Sequence, residues 1–404
     1  VPVPGAKNSA LKLMAATLLA PGKTTLQNVP DISDVHVMGK VLKGMGATID
    51  VLDEHTLEID TSQVDSWEAP YELVAKMRAS TAVMGPLLGR FHRAKIAMPG
   101  GCNLGARKID MHILGLEALG VEFDTAHGYI NANAPQGLRG TTVTLEFASV
   151  GATENLIMAS VRAQGTTVID NAAREPEVVD LCDCLNAMGA HITGAGTPVI
   201  SIEGVERLHG AEHTVIADRI EAGSFLVAGV VTQGDVLVTH CQPSQMEVVL
   251  DKLRATGAVL DIGADWVRVR MTGRPKPVSI RTVPHPGFPT DMQAQFMTLN
   301  CFAEGTANIT ETIFENRFMH VPELCRMGAH ITIEGHTAIV EGVAQLTGTT
   351  IMATDLRASA SLVIAALAAQ GSSTVDRIYH LDRGYERMEE KLRALGADIV
   401  RIDV

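Results

Sequence analysis

KGMGATI, at residues 43–49, is the first of six closely related stretches that recur along the whole chain. The others are EALGVEF (117–123), NAMGAHI (186–192), RATGAVL (254–260), CRMGAHI (325–331) and RALGADI (393–399). Their glycines lie 68–74 residues apart, so six copies of one unit account for nearly all of the 404 residues. The repeat therefore predicts the architecture of the whole chain.

Each copy combines two kinds of helix with several strands. Apolar residues at positions i, i+3 and i+4 precede the glycine, which predicts an amphipathic helix that ends at a left-handed glycine. Most copies also contain an alanine-rich segment such as ATENLIMASVRAQG (152–165), which is typical of a helix buried on most faces. Strand-like segments such as TTVIDNA (166–172) follow it. The sequence thus predicts a β-α-β-α-β-β unit.

Buried helices surrounded by amphipathic helices and strands predict an α/β fold of inverted type. We expect two inside-out α/β barrel domains of three repeats each, with the helices inside and the sheets outside. The first domain would span residues 5–216 and carry the segment around Cys102, and the second would span residues 217–404. Periodicity alone is equally compatible with a repeat scaffold that has no enzymatic activity.

Charge and hydropathy exclude some classes of partner and predict the cellular compartment. The chain has 33 Lys and Arg against 46 Asp and Glu, a net charge of −13, which argues against nucleic acid or an anionic membrane as the main partner. The longest apolar stretches are too short to span a bilayer, and no signal-type segment opens the chain, so we expect a cytoplasmic protein. Five of the six cysteines are expected to pack as small apolar residues in a reducing compartment.

The second copy carries a segment that the other copies lack, AMPGGCNLGARKIDMH at residues 97–112. Three glycines surround Cys102, which predicts a loop, and Arg107, Lys108 and His112 follow closely. Nearby cations favour the thiolate form of a cysteine. We therefore predict that Cys102 is reactive, although a loop cysteine can also be incidental.

Charged and polar residues stand where the buried helices begin. Their N-terminal ends carry Lys7, Asn8, Arg78, Arg219 and Arg357. If the helices of each domain run alike, these ends converge on an anion-binding face. The sequence contains no phosphate-binding loop of the GxxxxGK[ST] kind, so it gives no support for nucleoside triphosphate hydrolysis.

Several residues at these ends have a structural interpretation too. Thr290 and Thr354 are expected to be N-caps of their helices. Asp291 could be a cap or a general base for a hydroxyl group. Arg317 and His380 lie on the same side of their repeats as the Cys102 segment, but surface ion pairs would explain them equally well.

Ordered motifs along the chain resemble those of the UDP-N-acetylglucosamine 1-carboxyvinyltransferase family. The motifs are GAKN (5–8), MRAS (77–80), PGGC (99–102), GAR (105–107), SVGAT (149–153), NAAREPE (171–177), FPTDMQAQF (288–296), FENRFMH (314–320), ATDLRASASLV (353–363) and DRGYER (382–387). The resemblance implies an enolpyruvyltransferase-like fold. It also implies transfer of the enolpyruvyl group of phosphoenolpyruvate to the 3′-hydroxyl of UDP-N-acetylglucosamine, the first committed step of peptidoglycan synthesis.

The resemblance also implies roles for individual residues. Cys102 would protonate the methylene carbon of phosphoenolpyruvate, and Asp291 would act on the sugar hydroxyl. The implied catalytic residues are Cys102, Asp291, Lys7, Arg107 and Arg383. The implied substrate-binding residues are Lys7, Asn8, Asp34, Arg78, Arg107, Lys108, Ile109, Asp110, Met111, His112, Ser149, Val150, Gly151, Asp291, Ile313, Arg317, Asp355, Arg357 and His380. No metal or organic cofactor is implied, and fosfomycin is expected to modify Cys102.

Two departures from the family pattern are apparent. Only residues 1–4 precede the GAKN motif, and they would be a remnant of an N-terminal strand of the second domain. Phe147 stands where many relatives carry a cation.

Two alternatives stay open: a transferase that makes 5-enolpyruvylshikimate 3-phosphate, which needs no loop cysteine, and an inactive scaffold that binds a nucleotide sugar.

Overall fold

The computed structural model describes residues 1–69, 71–74, 78–98 and 109–402, which form two compact units. The N-terminal unit comprises the described residues of 5–216, and the C-terminal unit comprises residues 1–4 together with 217–402. Each unit has its own apolar core. Within the described ranges, no helix combines the length and apolar character needed to cross a membrane.

The N-terminal unit contains helices of two burial types and eleven strands among its described residues. Its helices are α1 (Lys7–Ala16), α2 (Ser33–Gly44), α3 (Tyr71–Val74), α4 (Met84–Phe91), α5 (Asp110–Ala118), α6 (Val150–Ser160) and α7 (Pro176–Ala187), with 3-10 helices at Thr17–Leu19 and Arg78–Val83. Its strands are β1 (Lys23–Gln27), β2 (Thr48–Asp53), β3 (Thr56–Asp60), β4 (Arg93–Ala97), β5 (Glu122–Ala126), β6 (Tyr129–Asn133), β7 (Thr142–Thr144), β8 (Thr166–Asp170), β9 (His191–Thr193), β10 (Val199–Glu203) and β11 (Glu212–Thr214).

These strands form three sheets on one plan, with the orders β11-β1-β3-β2, β4-β6-β5 and β7-β8-β10-β9. In the first and third sheets a parallel pair, β11 with β1 or β7 with β8, continues into antiparallel strands. In the second sheet an isolated parallel bridge between Glu68 and Lys95 takes the place of the parallel strand. Each sheet therefore corresponds to one sequence repeat, except that β11 of the first sheet comes from the end of the unit.

The C-terminal unit repeats this plan. Its helices are α8 (Arg219–Val231), α9 (Glu247–Ala255), α10 (Gln293–Cys301), α11 (Val321–Arg326), α12 (Leu356–Ala368) and α13 (Met388–Ala394), with 3-10 helices at Pro243–Gln245, Thr290–Met292 and Ile378–Arg383. Its strands are β12 (Asp235–Thr239), β13 (Val259–Ile262), β14 (Trp266–Arg270), β15 (Ile280–Arg281), β16 (Thr306–Thr310), β17 (His330–Glu334), β18 (Thr337–Glu341), β19 (Thr350–Met352) and β20 (Thr374–Asp376).

The sheets of this unit have the orders β12-β14-β13, β15-β16-β18-β17 and β19-β20. A parallel pair opens the last two sheets, and a parallel bridge from Pro2 to Thr239 takes that place beside β12. The sixth copy departs from the plan because residues 397–402 form no strand. Its sheet accordingly contains only β19 and β20.

Helices lie at the centre of each unit and sheets lie on its outside. In α8 every residue from Ile220 to Val231 is buried, and α8, α10 and α12 pack on one another. In the N-terminal unit, α4 and α6 pack together and are buried along nearly their whole length. Strands such as β10 alternate buried with more exposed residues, as expected for a sheet with one face on the core. The predicted α/β class with inverted layers is confirmed.

The six repeat glycines all have left-handed backbone conformations, with φ between 95° and 105°. At the end of α2, Gly46 N–H donates to Lys43 O and Ala47 N–H donates to Leu42 O. This pair of hydrogen bonds satisfies carbonyls that the helix leaves free at its C-terminus. The glycines therefore determine where each outer helix ends.

The expectation that five cysteines are buried is wrong for one of them. Cys182, Cys184, Cys241 and Cys301 are buried, whereas Cys325 is exposed. Cys325 lies on the short amphipathic helix α11, next to the buried Leu324. Val321 and Leu324, three residues apart, face the core, whereas Cys325 lies beside the exposed Arg326 on the solvent side of the helix.

Two alanine substitutions, one within α2 and one just after its end, should have opposite effects on stability. Gly39 lies within α2 and a Cβ there would make an ordinary contact of 3.5 Å, so Gly39→Ala should raise the free energy of unfolding by about 0.5–1 kcal/mol. Gly46→Ala should lower it by about 1–3 kcal/mol because its φ is +105° and the Cβ would lie 3.0 Å from Gln63 O. Urea unfolding followed by circular dichroism measures both, and shifts of the same sign would contradict this account of the helix end.

Candidate active site

In the N-terminal unit, α1 begins with a cation that is held by a buried carboxylate. Lys7 Nζ lies 3.2 Å from Asp34 Oδ2, and their side chains are 13% and 5% exposed. Asp34 stands in the first turn of α2, which packs on α1. Asn8 follows Lys7 and is half-buried. The helix start thus carries a cation and an amide side by side.

A second ion pair lies further along the same helix. Lys12 of α1 contacts the carboxylate of Glu154, which belongs to α6 and whose side chain is 1% exposed. Burial raises the pKa of Glu154, and the charge of Lys12 opposes that shift. The pair links two central helices and places another cation inside the unit.

The start of α6 faces the imidazole of His112. Ser149 is the N-cap of α6, and its Oγ accepts a hydrogen bond of 3.4 Å from Ala152 N–H. A Cβ at Gly151 would lie 3.3 Å from His112 Nε2. Burial, with a smaller contribution from Lys12, lowers the pKa of His112 to about 4. The ring is therefore neutral at physiological pH, beside the positive end of a helix.

The other predicted site residues of this unit differ in solvent exposure and in the element that carries them. Ile109 and Met111 are partly buried against the core, whereas Asp110 is exposed at the start of α5. Phe147, just before the start of α6, is 52% exposed. Arg78 begins a 3-10 helix. Cys102, Arg107 and Lys108 lie outside the described residues.

In the C-terminal unit, Asp291 is held between two arginines. Arg317 Nη2 donates to Asp291 Oδ1 at 2.8 Å, and Arg357 Nε donates to Asp291 Oδ2 at 3.3 Å. The arginine side chains are only 5% and 3% exposed, whereas that of Asp291 is 24% exposed. Both carboxylate oxygens are therefore fixed from the protein side while part of the group faces outward.

A chain of hydrogen bonds holds the guanidinium of Arg317 in place through Thr290 and Glu311. Its Nη1 donates to Thr290 Oγ1 at 2.9 Å, and Thr290 in turn donates to Glu311 Oε2 at 2.8 Å. Glu311 is buried and also accepts from Thr282 Oγ1 at 2.7 Å and from Ile313 N–H at 2.8 Å. The buried carboxylate of Glu311 therefore fixes two predicted site residues. It holds the backbone of Ile313 directly and the side chain of Arg317 through Thr290.

Arg357 lies at the start of α12, which Asp355 caps. Asp355 Oδ1 accepts hydrogen bonds from Arg357 N–H at 2.9 Å and Ala358 N–H at 3.0 Å. The guanidinium of Arg357 lies 5.3 Å from the ring centroid of the buried Tyr385. Burial opposes the charge of Arg357, but Tyr385 and Asp291 together raise its pKa overall. It is a permanent buried cation.

Two histidines lie near this cluster. His320 is fully buried, and burial lowers its pKa to about 4, with opposing influences from Asp355 and Arg317. The pKa of His380 is lowered first by burial and then by the charge of Arg383. Arg383 ends the 3-10 helix that contains His380. Both imidazoles are therefore neutral at physiological pH.

The helix starts differ from the capping expectation. Thr290 does not cap α10, because its hydroxyl donates to Glu311 and no side-chain hydrogen bond caps that helix start. Thr354 does not cap α12 either, since Asp355 occupies that position. The two expectations were wrong for different reasons: the Thr290 hydroxyl bonds to Glu311, 21 residues away, whereas the helix N–H groups next to Thr354 donate to the neighbouring Asp355.

The structure brings some predicted residues together and adds partners that the sequence analysis missed. Asp291, Arg317 and Arg357 form one cluster in the C-terminal unit, and Lys7 with Asp34 forms another in the N-terminal unit. The missed partners are Lys12, Thr282, Glu154, Asn155, Glu311 and Tyr385. Polar residues inside otherwise apolar stretches, such as the EN of ATENLIMAS, were the available signal.

These clusters have a common chemical character. Buried arginines and a lysine at helix starts suit anionic groups such as phosphate and carboxylate. A fixed, partly exposed carboxylate such as that of Asp291 can accept a hydrogen bond from a hydroxyl group.

Solved structures resemble this chain over nearly its full length. The enolpyruvyl transferase NikO from Streptomyces tendae has a TM-score of 0.88 and 29% identity, covering 98% of this chain and 94% of that one. EPSP synthase from Acinetobacter baumannii has a TM-score of 0.74 and 19% identity, covering 98% and 95%, which is a likeness of fold.

Sequence comparison gives the family. Residues 1–392 match the family model described as EPSP synthase (3-phosphoshikimate 1-carboxyvinyltransferase). A UDP-N-acetylglucosamine 1-carboxyvinyltransferase from Psychrobacter sp. (strain PRwf-1) is 52% identical over 405 residues, covering 100% of this chain and 94% of that protein. The chain therefore belongs to the EPSP synthase family of enolpyruvyl transferases and, within it, to the family of UDP-N-acetylglucosamine 1-carboxyvinyltransferases.

Proposed function

We propose that this chain transfers the enolpyruvyl group of phosphoenolpyruvate to the 3′-hydroxyl of UDP-N-acetylglucosamine and releases inorganic phosphate, as the first committed step of cytoplasmic peptidoglycan synthesis. The observation that carries the proposal is the Asp291 carboxylate fixed by Arg317 and Arg357. It combines an acceptor for a hydroxyl proton with cations for a charged reactant. The 52% identity of the Psychrobacter relative supports the choice of sugar nucleotide.

The reaction is an addition followed by an elimination. The 3′-oxygen bonds to C2 of phosphoenolpyruvate and loses its proton to a base, while C3 gains a proton and the double bond becomes single. The resulting tetrahedral intermediate carries both phosphate and carboxylate. Loss of a proton from C3 and cleavage of the bond from C2 to the phosphate oxygen restore the double bond and release phosphate.

We assign the residues as follows. Asp291 accepts the hydroxyl proton or orients the hydroxyl, because two arginines hold its carboxylate in place and its side chain is 24% exposed. Cys102 supplies the proton to C3, an assignment that rests on the glycines and cations around it in the sequence. Cations stabilise the charge that develops on phosphate and carboxylate. For these we assign Lys7, Arg107 and Arg383.

The remaining predicted residues bind the substrates. We propose that the sugar contacts Asn8 and Ile313, and that Asp34, Arg317, Asp355, Arg357 and His380 support the anion pocket. The uridine diphosphate would contact Arg78, Arg107, Lys108, Ile109, Asp110, Met111, His112, Ser149, Val150 and Gly151. Helix α6 offers backbone N–H groups at its start, which suits the diphosphate.

Phosphate release should require both phosphoenolpyruvate and UDP-N-acetylglucosamine, and Cys102→Ala should lower its rate about 10²–10⁴-fold, the usual loss for a proton donor. Cys325→Ala, which removes the exposed thiol of α11, should leave the rate unchanged. A coupled phosphate assay measures all three proteins. Release with shikimate 3-phosphate instead would favour the sister reaction, and no release from folded protein would favour the scaffold.

Asp291→Asn should lower kcat about 10²–10⁴-fold, because an amide cannot take the hydroxyl proton and its NH₂ would face a guanidinium. Asp235→Asn is the matched control: it also removes a carboxylate paired with an arginine, Arg268, but on exposed strands. The control should keep wild-type kcat in the phosphate assay. Equal losses in both variants would contradict a catalytic role for Asp291.

Fosfomycin should inactivate the protein irreversibly, since a thiolate at residue 102 can open its epoxide to give a thioether and an alcohol. Intact-mass spectrometry should show the addition of one inhibitor molecule to the wild type and to Cys325→Ala. Cys102→Asp, which lacks the thiol, should stay unmodified and keep its residual activity. Modification of Cys102→Asp, or loss of modification in Cys325→Ala, would refute the assignment.

A further inference from the structure

A buried amide interrupts the apolar helix α6 and contacts three other segments. Asn155 is 1% exposed. Its Oδ1 accepts from Gly85 N–H at 2.8 Å, and its Nδ2 lies 2.9 Å from Thr81 O and 2.9 Å from His112 Nδ1. A buried side-chain amide with all these partners is strongly constrained.

The two backbone partners determine which way the amide faces. The N–H of Gly85 can only donate, and the carbonyl of Thr81 can only accept. The reversed amide would place two donors against each other at Gly85 and two acceptors against each other at Thr81. The NH₂ group of Asn155 therefore faces Thr81, and its second hydrogen is directed at His112.

This orientation determines the tautomer of His112. Because the NH₂ of Asn155 donates to Nδ1, that nitrogen must present its lone pair, and the ring proton resides on Nε2. A doubly protonated ring would oppose one N–H to another. Lys12, a cation of α1 paired with Glu154, also disfavours a charged ring. His112 is consequently a neutral donor through Nε2–H.

The Nε2 side of the ring faces the start of α6. A Cβ at Gly151 would lie 3.2 Å from His112 Cε1 and 3.3 Å from Nε2, so the glycine leaves room for close approach of the ring. Val150 and Gly151 are the first two residues of the helix, where N–H groups have no partner within the helix itself. The imidazole N–H and the helix end can therefore serve the same anionic group.

We propose that Asn155 is a positioning residue for nucleotide binding: it holds His112 as the neutral Nε2–H tautomer, directed at the anion-binding start of α6. This inference rests on the proposed function, in which the start of α6 takes the diphosphate of the sugar nucleotide. Asn155 also connects that site to the segment that follows Arg78, through Thr81 and Gly85. One buried amide thus aligns three of the predicted substrate-binding segments.

The tautomer can be read without any turnover. Nitrogen-15 spectra of protein labelled at histidine distinguish protonated from unprotonated ring nitrogens, and His112→Gln assigns the signal. Between about pH 5.5 and 8, where a free imidazole titrates, His112 should keep Nδ1 unprotonated and Nε2 protonated. Asn155→Asp, which can only accept at this position, should move the proton to Nδ1 or protonate both nitrogens. An Nδ1–H tautomer in the wild type, or an unchanged one in Asn155→Asp, would overturn the proposal.

Kinetics test the consequence for binding. Asn155→Ser should raise KM for UDP-N-acetylglucosamine about 10–150-fold, the loss expected for one hydrogen bond to a charged group, with kcat changed less than KM. In the His112→Gln background, where no tautomer can change, the same substitution should cost much less. Equal effects in both backgrounds would mean that Asn155 acts only through packing.

The two experiments separate the inference from the proposed function. If the protein turns over no UDP-N-acetylglucosamine but shows the Nε2–H tautomer, the proposed function fails and the structural assignment stands. If turnover occurs with an Nδ1–H tautomer, the positioning role of Asn155 fails alone. Should Asn155→Asp fail to fold, the wild-type spectrum and Asn155→Ser still decide the outcome.

Discussion

A helix that is apolar on every side can present polar groups to solvent or substrate only at its two ends, and this constraint organises the molecule. Helix α8 is buried along its entire length beyond Arg219, and α6 is buried from Ala152 to Ser160. Sheets and amphipathic helices cover the sides of these central helices, because their apolar surfaces have no other way to leave water. Helix starts are therefore favourable places for anions, because their N–H groups and the helix dipole attract negative charge.

Several polar residues inside these helices are specifically paired. Glu154 contacts Lys12, and Asn155 binds two backbone groups and an imidazole. Gln295 donates to Ser224 Oγ and to Tyr385 OH. An unpaired polar group at such a depth would cost about 1–3 kcal/mol, so these networks permit one arrangement of side chains. That rigidity holds binding groups in place before a substrate arrives.

Sequence reasoning reached the fold because its signals are local and periodic. The glycines from Gly46 to Gly396 determine where helices end, and the all-round apolar character of segments such as 152–165 determines which helices are buried. Both features can be recognised in the sequence without knowledge of distant contacts. The same reasoning missed Glu311 and Asn155, whose partners are distant in sequence. It misassigned Thr290 as a cap, because local propensity does not reveal that a buried carboxylate 21 residues away competes for the hydroxyl.

The repeats of the C-terminal unit supply an internal comparison that bears on Asp291. Three aspartates stand at the starts of its central helices. Asp218 accepts from Ile220 and Glu221 N–H, each at 2.9 Å, and Asp355 caps α12 in the same way. Asp291 instead lies in a 3-10 turn before α10, where no side chain caps the helix and two arginines hold the carboxylate. The fold does not require this third aspartate as a cap. Its partial exposure and its two cations set it apart from the two capping aspartates, and this difference supports the proposal that Asp291 acts on the hydroxyl of the substrate.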